Sequence, residues 1–331
     1  MSDTLAEVGE LAALARIIPR LPPARSALLG PGDDAAVLDT HGPVVLTTDV
    51  MVEGPDFRRA WSSPMEIGWK AAAGNLADIA AMGAVPTALL VALTAPADTP
   101  VPLLEGIADG FAAACAALAD GCGVVGGDLT ASPTLTVAVT AVGVLDGAAV
   151  PRSGAGPGDV VAYAGRLGLA AAALRLLFER EGDPAALQAL RAARPGLLAE
   201  QLAPTPPIAA GPAAARAGAT AMLDVSDGLL LDASRLARAG GVTLDLSSAA
   251  LAPDLDAVAA ALDGNADAHA VLELVLTGGE DHGLLACFPA DRALPDPFRP
   301  IGVVRAGAPA VLLDGGTPTV RRPGWDSFAA Q

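Results

Sequence analysis

The feature that most constrains this chain is the repeated placement of an acidic residue beside glycine or threonine, next to a short apolar segment. An acidic surface would scatter its carboxylates over helices, without glycine neighbours. Glycine beside a carboxylate lets the backbone approach a ligand closely or adopt positive φ. One such motif alone is typical of an ordinary turn. Five occur at apparent strand ends, which predicts carboxylates that converge on a site: Gly32-Asp33-Asp34, Thr47-Thr48-Asp49, Gly126-Gly127-Asp128, Asp224-Val225-Ser226-Asp227-Gly228 and Gly278-Gly279-Glu280-Asp281.

Hydrophobic periodicity predicts a mixture of helices and strands in two domains. The chain has 331 residues, which exceeds a usual single core. The small and turn residues of 146–158 place the boundary there, giving domains 1–148 and 149–331. Helices are predicted over 5–19, 64–82, 103–119, 167–181, 185–193 and 228–239. Strands are predicted at 44–46, 87–94, 134–144, 159–163, 242–246, 283–288, 301–304 and 310–313.

Composition and charge exclude several classes of protein. The formal charge of −17 argues against a protein that grips nucleic acid. The chain contains no uninterrupted run of about 18 apolar residues, so no membrane span is predicted. Residues 1–4 lack the basic and apolar regions of a secretory signal. The three cysteines have no metal-ligand spacing and are typical of buried thiols, so we expect a cytoplasmic protein.

Asp78 lies on a predicted helix and adds a sixth acidic position. Lys70, Gly74 and Asp78 recur every four residues and therefore share one helix face. Because Gly74 has no side chain, this face is compatible with space for a ligand between Lys70 and Asp78. A Lys70–Asp78 surface pair with an incidental glycine is the alternative.

The number of carboxylates indicates a particular chemistry. A catalytic acid–base pair needs two, whereas several hard oxygen ligands favour Mg²⁺ or another hard cation. Mg²⁺ commonly bridges protein carboxylates to nucleotide phosphates. The chain contains neither a phosphate-binding GxxxxGK[ST] loop nor the protein-kinase signature set. Any phosphoryl transfer here must therefore depend on metal ions.

The ordered motifs resemble the thiamine-monophosphate kinase family, of the superfamily shared with aminoimidazole-ribonucleotide synthetase and selenophosphate synthetase. They run in the family's order through almost the whole chain, and GDDAA with the GGED turn favours this kinase over its cousins. The matching stretches are GPGDDAAVL (30–38), TTDVMVEG (47–54), NLADIAAMGAVP (75–86), GGDLT (126–130), RSGAGPGD (152–159), DVSDGLLLD (224–232), LTGGEDHGLL (276–285) and PGWDSF (323–328).

The resemblance implies an α/β (α+β) chain with the two-domain PurM-like fold. The N-terminal domain would bind metal and ATP, and its sheet would pair across a homodimer to form a barrel. The C-terminal α/β sandwich domain would complete the nucleotide and substrate site. The implied reaction is Mg²⁺-dependent transfer of the ATP γ-phosphate to thiamine monophosphate, the last step in making thiamine diphosphate. Because the acceptor phosphate is already largely ionised, no catalytic base is expected.

The resemblance also implies roles for individual residues. Arg152 would stabilise charge on the transferred group. Ser226 stands at a helix N-cap position, so its neighbouring N–H groups would face a phosphate, or it would serve for capping alone. Trp325 would stack on the thiamine cation or simply pack the C-terminus, and Glu280 would offset the thiamine charge or bind metal. ATP contacts are Gly127, Asp128, Arg152 and Ser226; substrate contacts are Asp56, Glu280 and Trp325; metal ligands are Asp34, Thr47, Thr48, Asp49, Asp78, Asp128, Asp224 and Asp227.

Two positions depart from the family pattern. Asp56 stands where a substrate-contacting histidine is expected, and His282 stands where tyrosine often follows the GGED turn. The first change reverses the possible charge at that position, unless Arg58 or Arg59 compensates. Two alternatives remain open: a related superfamily enzyme that acts on another ATP-activated substrate, and a non-catalytic nucleotide-binding dimer.

Overall fold

The computed structural model describes residues 3–32 and 34–326. The chain divides into two compact units after Gly147, and residues 80–83 belong to the second unit. Each unit has a sheet accompanied by helices, as the sequence predicts. The functions predicted for domains 1–148 and 149–331, and the barrel across a homodimer, stay predictions.

The first unit contains a four-stranded sheet. Its strand order is β3-β6-β4-β5, with only the β4–β5 pair parallel. A small antiparallel ladder precedes it. The strands are β1 (Ala27–Leu29), β2 (Val37–Leu38), β3 (Val44–Val52), β4 (Val85–Ala95), β5 (Gly123–Ala131) and β6 (Thr136–Val144).

The helices of the first unit pack closely because glycines remove side chains at their contacts. A Cβ at Gly68 would lie 2.0 Å from the Ile107 carbonyl oxygen, and one at Gly110 would lie 2.1 Å from that of Met65. The predicted helix 5–19 is instead broken at Gly9, whose φ is +76°. The helices are α1 (Leu5–Val8), α2 (Glu10–Ile17), a 3₁₀ turn (Ile18–Arg20), α3 (Pro64–Ala81) and α4 (Val101–Leu118).

One helix of the described chain, α4, is long and apolar enough to cross a membrane by length and composition. Its most apolar 18-residue window is 44% buried inside the protein. Leu104, Ile107 and Phe111 lie in the core of the first unit. These contacts are those of a core helix.

The second unit contains a six-stranded sheet in the order β12-β9-β11-β7-β10-β8. Only the β9–β12 pair is parallel. The edge strand β8 and its neighbour β10 are buried along their whole length. The strands are β7 (Val160–Ala164), β8 (Ala221–Val225), β9 (Thr243–Leu246), β10 (Gly283–Phe288), β11 (Arg299–Arg305) and β12 (Ala310–Leu313).

Seven helices of the described second unit surround this sheet. The carboxylates of Asp183 and Asp267 accept hydrogen bonds from the first-turn N–H groups of α6 and α11 and fix where those helices begin. The helices are α5 (Leu169–Phe178), α6 (Pro184–Ala193), α7 (Pro195–Leu202), α8 (Ala210–Ala217), α9 (Leu229–Gly240), α10 (Ala252–Ala261) and α11 (Ala268–Thr277).

Candidate active site

The acidic motifs that contain Asp49 and Asp128 lie within strands, so the expectation of strand ends is wrong for these two. Thr47, Thr48 and Asp49 are central in β3, and Gly127 and Asp128 are in β5. Asp49 pairs with Val139, Val139 with Val91, and Val91 with Gly127. This register places Asp49 and Gly127 in one row across the sheet. The Gly-Gly-Asp segment is therefore an extended strand and not a turn.

Two threonine hydroxyls predicted to bind metal are hydrogen-bonded within the protein. Thr47 Oγ1 donates to Asp78 Oδ2 at 3.0 Å, which joins β3 to α3. Thr48 Oγ1 donates to the Val139 carbonyl at 3.0 Å and accepts from Thr140 Oγ1. Successive strand residues face opposite sides, so Thr47 and Thr48 lie on different faces of the sheet. Thr47 thus orients the Asp78 carboxylate, whereas the Thr48 hydroxyl is hydrogen-bonded to the neighbouring strand β6.

A cavity of about 380 Å³ lies beside β5 in the first unit. Asp34 and Asp128 line it together with Gly127. Apolar side chains of α2 and α4, such as Ile17 and Phe111, form other parts of its wall. A Cβ at Gly127 would lie 1.8 Å from the Val91 carbonyl oxygen. This glycine is therefore required by the approach of β4 as well as by any ligand.

The predicted metal ligands do not form a closed cluster. Within residues 3–32 and 34–326, no three side chains among His, Cys, Asp and Glu are close enough to hold a metal ion. Asp33 lies outside the described residues. Asp34 and Asp128 are exposed, and neither carboxylate has a hydrogen bond or ion pair with a described residue. The donors are hard oxygens, which suit Mg²⁺, and any ion here needs further oxygens from a ligand or water.

The carboxylate of Asp56 is hydrogen-bonded within the turn that follows β3. Its Oδ2 accepts a hydrogen bond from the Val52 N–H at 2.7 Å. The buried Lys70 donates to the Asp56 carbonyl oxygen at 3.3 Å. This substitution for the family's histidine therefore has a local structural role. The idea that Lys70 belongs to a surface pair is wrong, because Lys70 is buried.

Two acidic residues of the second unit, Asp224 and Glu280, lie close to the His282 side chain. Asp224 in β8 is buried, and its Oδ2 lies 3.8 Å from His282 Nδ1. His282 Nε2 lies 3.2 Å from Glu280 Oε2. Burial alone would lower the pKa of His282, but the carboxylates of Asp224 and Glu280 raise it to about 10. The imidazolium therefore balances two acidic residues at neutral pH.

Asp227 belongs to a second charge network at the start of α9. Arg235 Nη1 lies 2.7 Å from Asp227 Oδ2 and 2.5 Å from Asp232 Oδ1. The other Asp232 oxygen accepts a hydrogen bond from the Asp227 N–H at 2.9 Å. Burial raises the pKa of Asp232 to about 6. Asp232 and Arg235 were not among the predicted site residues, although their positions one and two turns after Ser-Asp-Gly could have indicated them.

Three consecutive backbone carbonyls hold the remaining residues of this group. Those of Val225, Ser226 and Asp227 accept hydrogen bonds from the N–H groups of His282 (2.8 Å), Glu280 (2.7 Å) and Trp325 (2.8 Å), respectively. Glu280 has a φ of +71° and His282 of +49°. Residues that are far apart in the sequence, including both Glu280 and Trp325, are therefore joined to one short segment.

The prediction that Ser226 is a helix N-cap is wrong. Helix α9 begins at Leu229, and Gly228 is its N-cap with a φ of +116°. A Cβ at Gly228 would lie 2.6 Å from the Thr277 carbonyl oxygen. The Asp227 N–H already bonds to Asp232, and so it is not available to a phosphate. The exposed Arg152 makes no side-chain hydrogen bond or ion pair with any described residue.

Comparison with known proteins decides the family. Residues 32–145 match the family model described as AIR synthase related protein, N-terminal domain. A thiamine-monophosphate kinase of Mycobacterium tuberculosis is 44% identical over 329 residues, which cover 99% of this chain and 94% of that protein. The chain belongs to the thiamine-monophosphate kinase family. A thiamine-monophosphate kinase of Corynebacterium glutamicum is 40% identical over 309 residues, covering 90% and 88% of the two chains.

Solved structures agree with this family. Thiamine-monophosphate kinase from Stenotrophomonas maltophilia matches with a TM-score of 0.77 and 33% identity, over 92% of this chain and 97% of that one. AaThiL complexed with AMPPCP and TMP matches with a TM-score of 0.74 and 33% identity, over 86% and 87%. Hydrogenase maturation protein HypE of E. coli, 19% identical with a TM-score of 0.67, is similar in fold alone. The predicted family, PurM-like α/β fold and phosphotransferase class are confirmed.

Proposed function

We propose that this chain transfers the γ-phosphate of ATP directly to thiamine monophosphate, producing ADP and thiamine diphosphate in the last step of thiamine diphosphate biosynthesis. Its full-length similarity to thiamine-monophosphate kinases supports the substrate class. A related structure is described as a complex with AMPPCP and TMP. The retained acidic positions disfavour a non-catalytic nucleotide-binding dimer.

The observation that carries the substrate assignment is the pairing of Glu280 and Trp325 on adjacent carbonyls of Ser226 and Asp227. Trp325 is 44% exposed, which is unusual for a large aromatic side chain. An exposed indole attracts an organic cation over its face. The Glu280 carboxylate, which also contacts His282 at 3.2 Å, would add negative charge from the same segment. Thiamine carries a cationic ring, so this arrangement suits it. Asp56 contributes through the turn that it builds, since its carboxylate bonds to the Val52 N–H.

The first unit supplies the nucleotide side of the reaction. The cavity beside β5 has apolar walls suited to a purine base, while Gly127 and Asp128 place backbone and carboxylate at the same cavity. Arg152 and Ser226, which belong to the second unit, are the other two proposed ATP contacts. Arg152 presents a planar fork of donors, without a competing partner among the described residues, which suits phosphate oxygens.

Magnesium would be held by the predicted carboxylates. Asp34, Asp49, Asp78 and Asp128 would serve in the first unit, and Asp224 and Asp227 in the second. When bound, Mg²⁺ neutralises the repulsion between these acids and the phosphates. Thr47 orients Asp78 by donating to its Oδ2. The hydroxyl of Thr48 is already bonded in the sheet, so Thr48 would contribute only through its backbone.

The acceptor explains why no general base is needed. A phosphate monoester is largely ionised near pH 7, since its second pKa is about 6. The residues must therefore orient two anions and screen their charge, which favours in-line transfer without a phosphoenzyme.

The decisive experiment is an ADP-release assay with Mg²⁺, ATP and thiamine monophosphate, with chromatographic identification of the product. We expect thiamine diphosphate to form in step with ADP, and neither to form when EDTA removes the metal. ADP release only with another acceptor would favour a related superfamily enzyme. Nucleotide binding without turnover of any acceptor would favour the binding-only alternative.

We also propose a cytoplasmic homodimer formed through the first-unit sheet. Alternate residues of β3 expose apolar side chains: Val44 is 45%, Leu46 65% and Val50 53% exposed. Such a face is typical of a protein interface. Sedimentation equilibrium should give twice the 32.6 kDa chain mass, and Leu46→Glu should shift the protein to monomer. A wild-type monomer at micromolar concentration would contradict the dimer.

A further inference from the structure

Glycines precede both of the residues that dock on the Ser226–Asp227 segment. A Cβ at Gly279 would lie 2.8 Å from the Ser226 carbonyl oxygen, the acceptor of the Glu280 N–H. A Cβ at Gly324 would lie 2.3 Å from the Asp227 carbonyl oxygen, the acceptor of the Trp325 N–H. Each glycine thus sits against the carbonyl to which the next residue bonds.

The requirement at Gly324 is for space and not for an unusual backbone conformation. Gly324 does not have a positive φ. The same Cβ would also lie 2.7 Å from Leu231 Cβ, in the first turn of α9. Even an alanine side chain would therefore meet atoms on two sides, and one of them is backbone that cannot move aside cheaply.

The segment that contains Gly324 is fixed at one further place. The Arg321 N–H donates to Glu273 Oε1 on α11 at 3.1 Å. Val320 packs against the core of the second unit. Residues 323–325 therefore extend from an anchored point to Asp227, and the contact at Gly324 decides whether they reach it.

We propose that Gly324 is a positioning residue for substrate selection, which holds Trp325 against Asp227 so that its indole and the Glu280 carboxylate face the same thiamine group. This inference rests on the proposed function, because it assigns the geometry of that substrate site. The hydrogen bond from the Trp325 N–H to the Asp227 carbonyl fixes the backbone beside the indole, which would reduce the ordering that substrate binding requires.

The test compares Gly324→Ala with Gly316→Ala, a control in which the new Cβ would meet its nearest atom at 3.7 Å. We expect Gly324→Ala to raise the KM for thiamine monophosphate about tenfold, as for loss of one cation–π contact, with the KM for ATP unchanged. Trp325→Ala should have the same effect, and the double variant should be no worse than Trp325→Ala alone. Gly316→Ala should behave as wild type.

Limited trypsin digestion gives a second measurement that does not depend on activity. The Arg321 side chain is highly exposed, and a released segment should be cut after Arg321 about tenfold faster in Gly324→Ala than in wild type or Gly316→Ala. Unchanged cleavage, or additive effects of Gly324→Ala and Trp325→Ala on KM, would overturn the inference. Faster cleavage with an unchanged KM would also overturn it. Absence of thiamine diphosphate from the wild-type reaction would instead contradict the proposed function.

Discussion

The two groups of carboxylates in this chain are built in opposite ways. In the first unit, Asp34, Asp49 and Asp128 are exposed on a loop and two strands. In the second unit, Asp224 and Asp232 are buried close to His282 and Arg235. Buried charges without partners are strongly unfavourable, whereas exposed charges can wait for a ligand.

From this difference we infer that the second-unit acids support the fold in addition to their proposed ligand roles, whereas the first-unit acids do not. Because they are exposed, the first-unit acids should contribute little to the free energy of folding. In the second unit, Asp227 and Asp232 form ion pairs with Arg235, and the Asp232 carboxylate accepts the Asp227 N–H, so these acids also support the backbone at the start of α9. Mutations should therefore reduce activity without loss of stability in the first unit, and reduce both in the second.

The largest effect should follow Asp128→Asn, which keeps the shape of the side chain and removes its charge. We expect kcat/KM for the kinase reaction to fall about 10²–10³-fold, as for loss of one pre-positioned electrostatic group. The free energy of unfolding should change by less than about 0.5 kcal/mol, because the side chain is exposed. Asp146→Asn is a matched exposed control. Unchanged turnover in Asp128→Asn would refute its role as a ligand.

In the second unit, His282→Phe should reduce stability as well as activity. It leaves the buried Asp224 carboxylate without its nearest cation, which should cost about 3 kcal/mol. Urea unfolding followed by circular dichroism would measure this loss. His282→Phe with wild-type stability would show that the two units do not differ as we infer.

The pH dependence of stability tests the second unit separately, because its Asp281 carboxyl has a raised pKa. Burial raises the pKa of this carboxyl from 3.8 to about 8, although it accepts a hydrogen bond from the Gly168 N–H at 2.7 Å. The folded state therefore binds more protons than the unfolded state between these values, and stability falls as pH rises through this window. Asp281→Asn keeps the acceptor but does not titrate. Its stability should fall less steeply than that of wild type, by about 0.5 kcal/mol per pH unit after allowance for partial exposure. Parallel curves would contradict the raised pKa.

The smallest effect should be that of Asp56→Asn. Its amide oxygen can still accept the Val52 N–H, so we expect the KM for thiamine monophosphate to stay within about twofold of wild type. Asp56→Ala removes the acceptor and should reduce stability by about 1 kcal/mol. A large KM increase in Asp56→Asn with unchanged stability would show that this carboxylate contacts substrate directly.

Regular elements were predictable because their signals are local. The helix predicted over 64–82 is Pro64–Ala81, and the strands predicted at 283–288 and 310–313 have those bounds. The strand at Gly123–Ala131 was missed because two central glycines resemble a turn. At Gly127 a glycine is required because β4 lies so close that a Cβ would overlap the Val91 carbonyl. That reason is tertiary and cannot be found in local sequence.

The sequence motifs name candidate site residues, but they do not indicate how those residues are arranged. The motifs identified Glu280 and Trp325, yet nothing local indicates that they bond to neighbouring carbonyls. The prediction that Ser226 is an N-cap was wrong because Gly228, with positive φ, is the N-cap of α9. The roles of Asp232 and Arg235 depend on which acid is buried beside which cation, and that is decided only by folding.

The three carbonyls of Val225, Ser226 and Asp227 have a consequence for the order of events during synthesis. Helix α9 can form from neighbouring residues, but these carbonyls must wait for N–H groups that are translated much later. Contacts between distant segments form slowly, because closing a long loop costs entropy before any contact offsets it. We therefore expect the contacts of Glu280, His282 and Trp325 with this segment to form late in folding, so that activity would appear only after the rest of the second unit has folded.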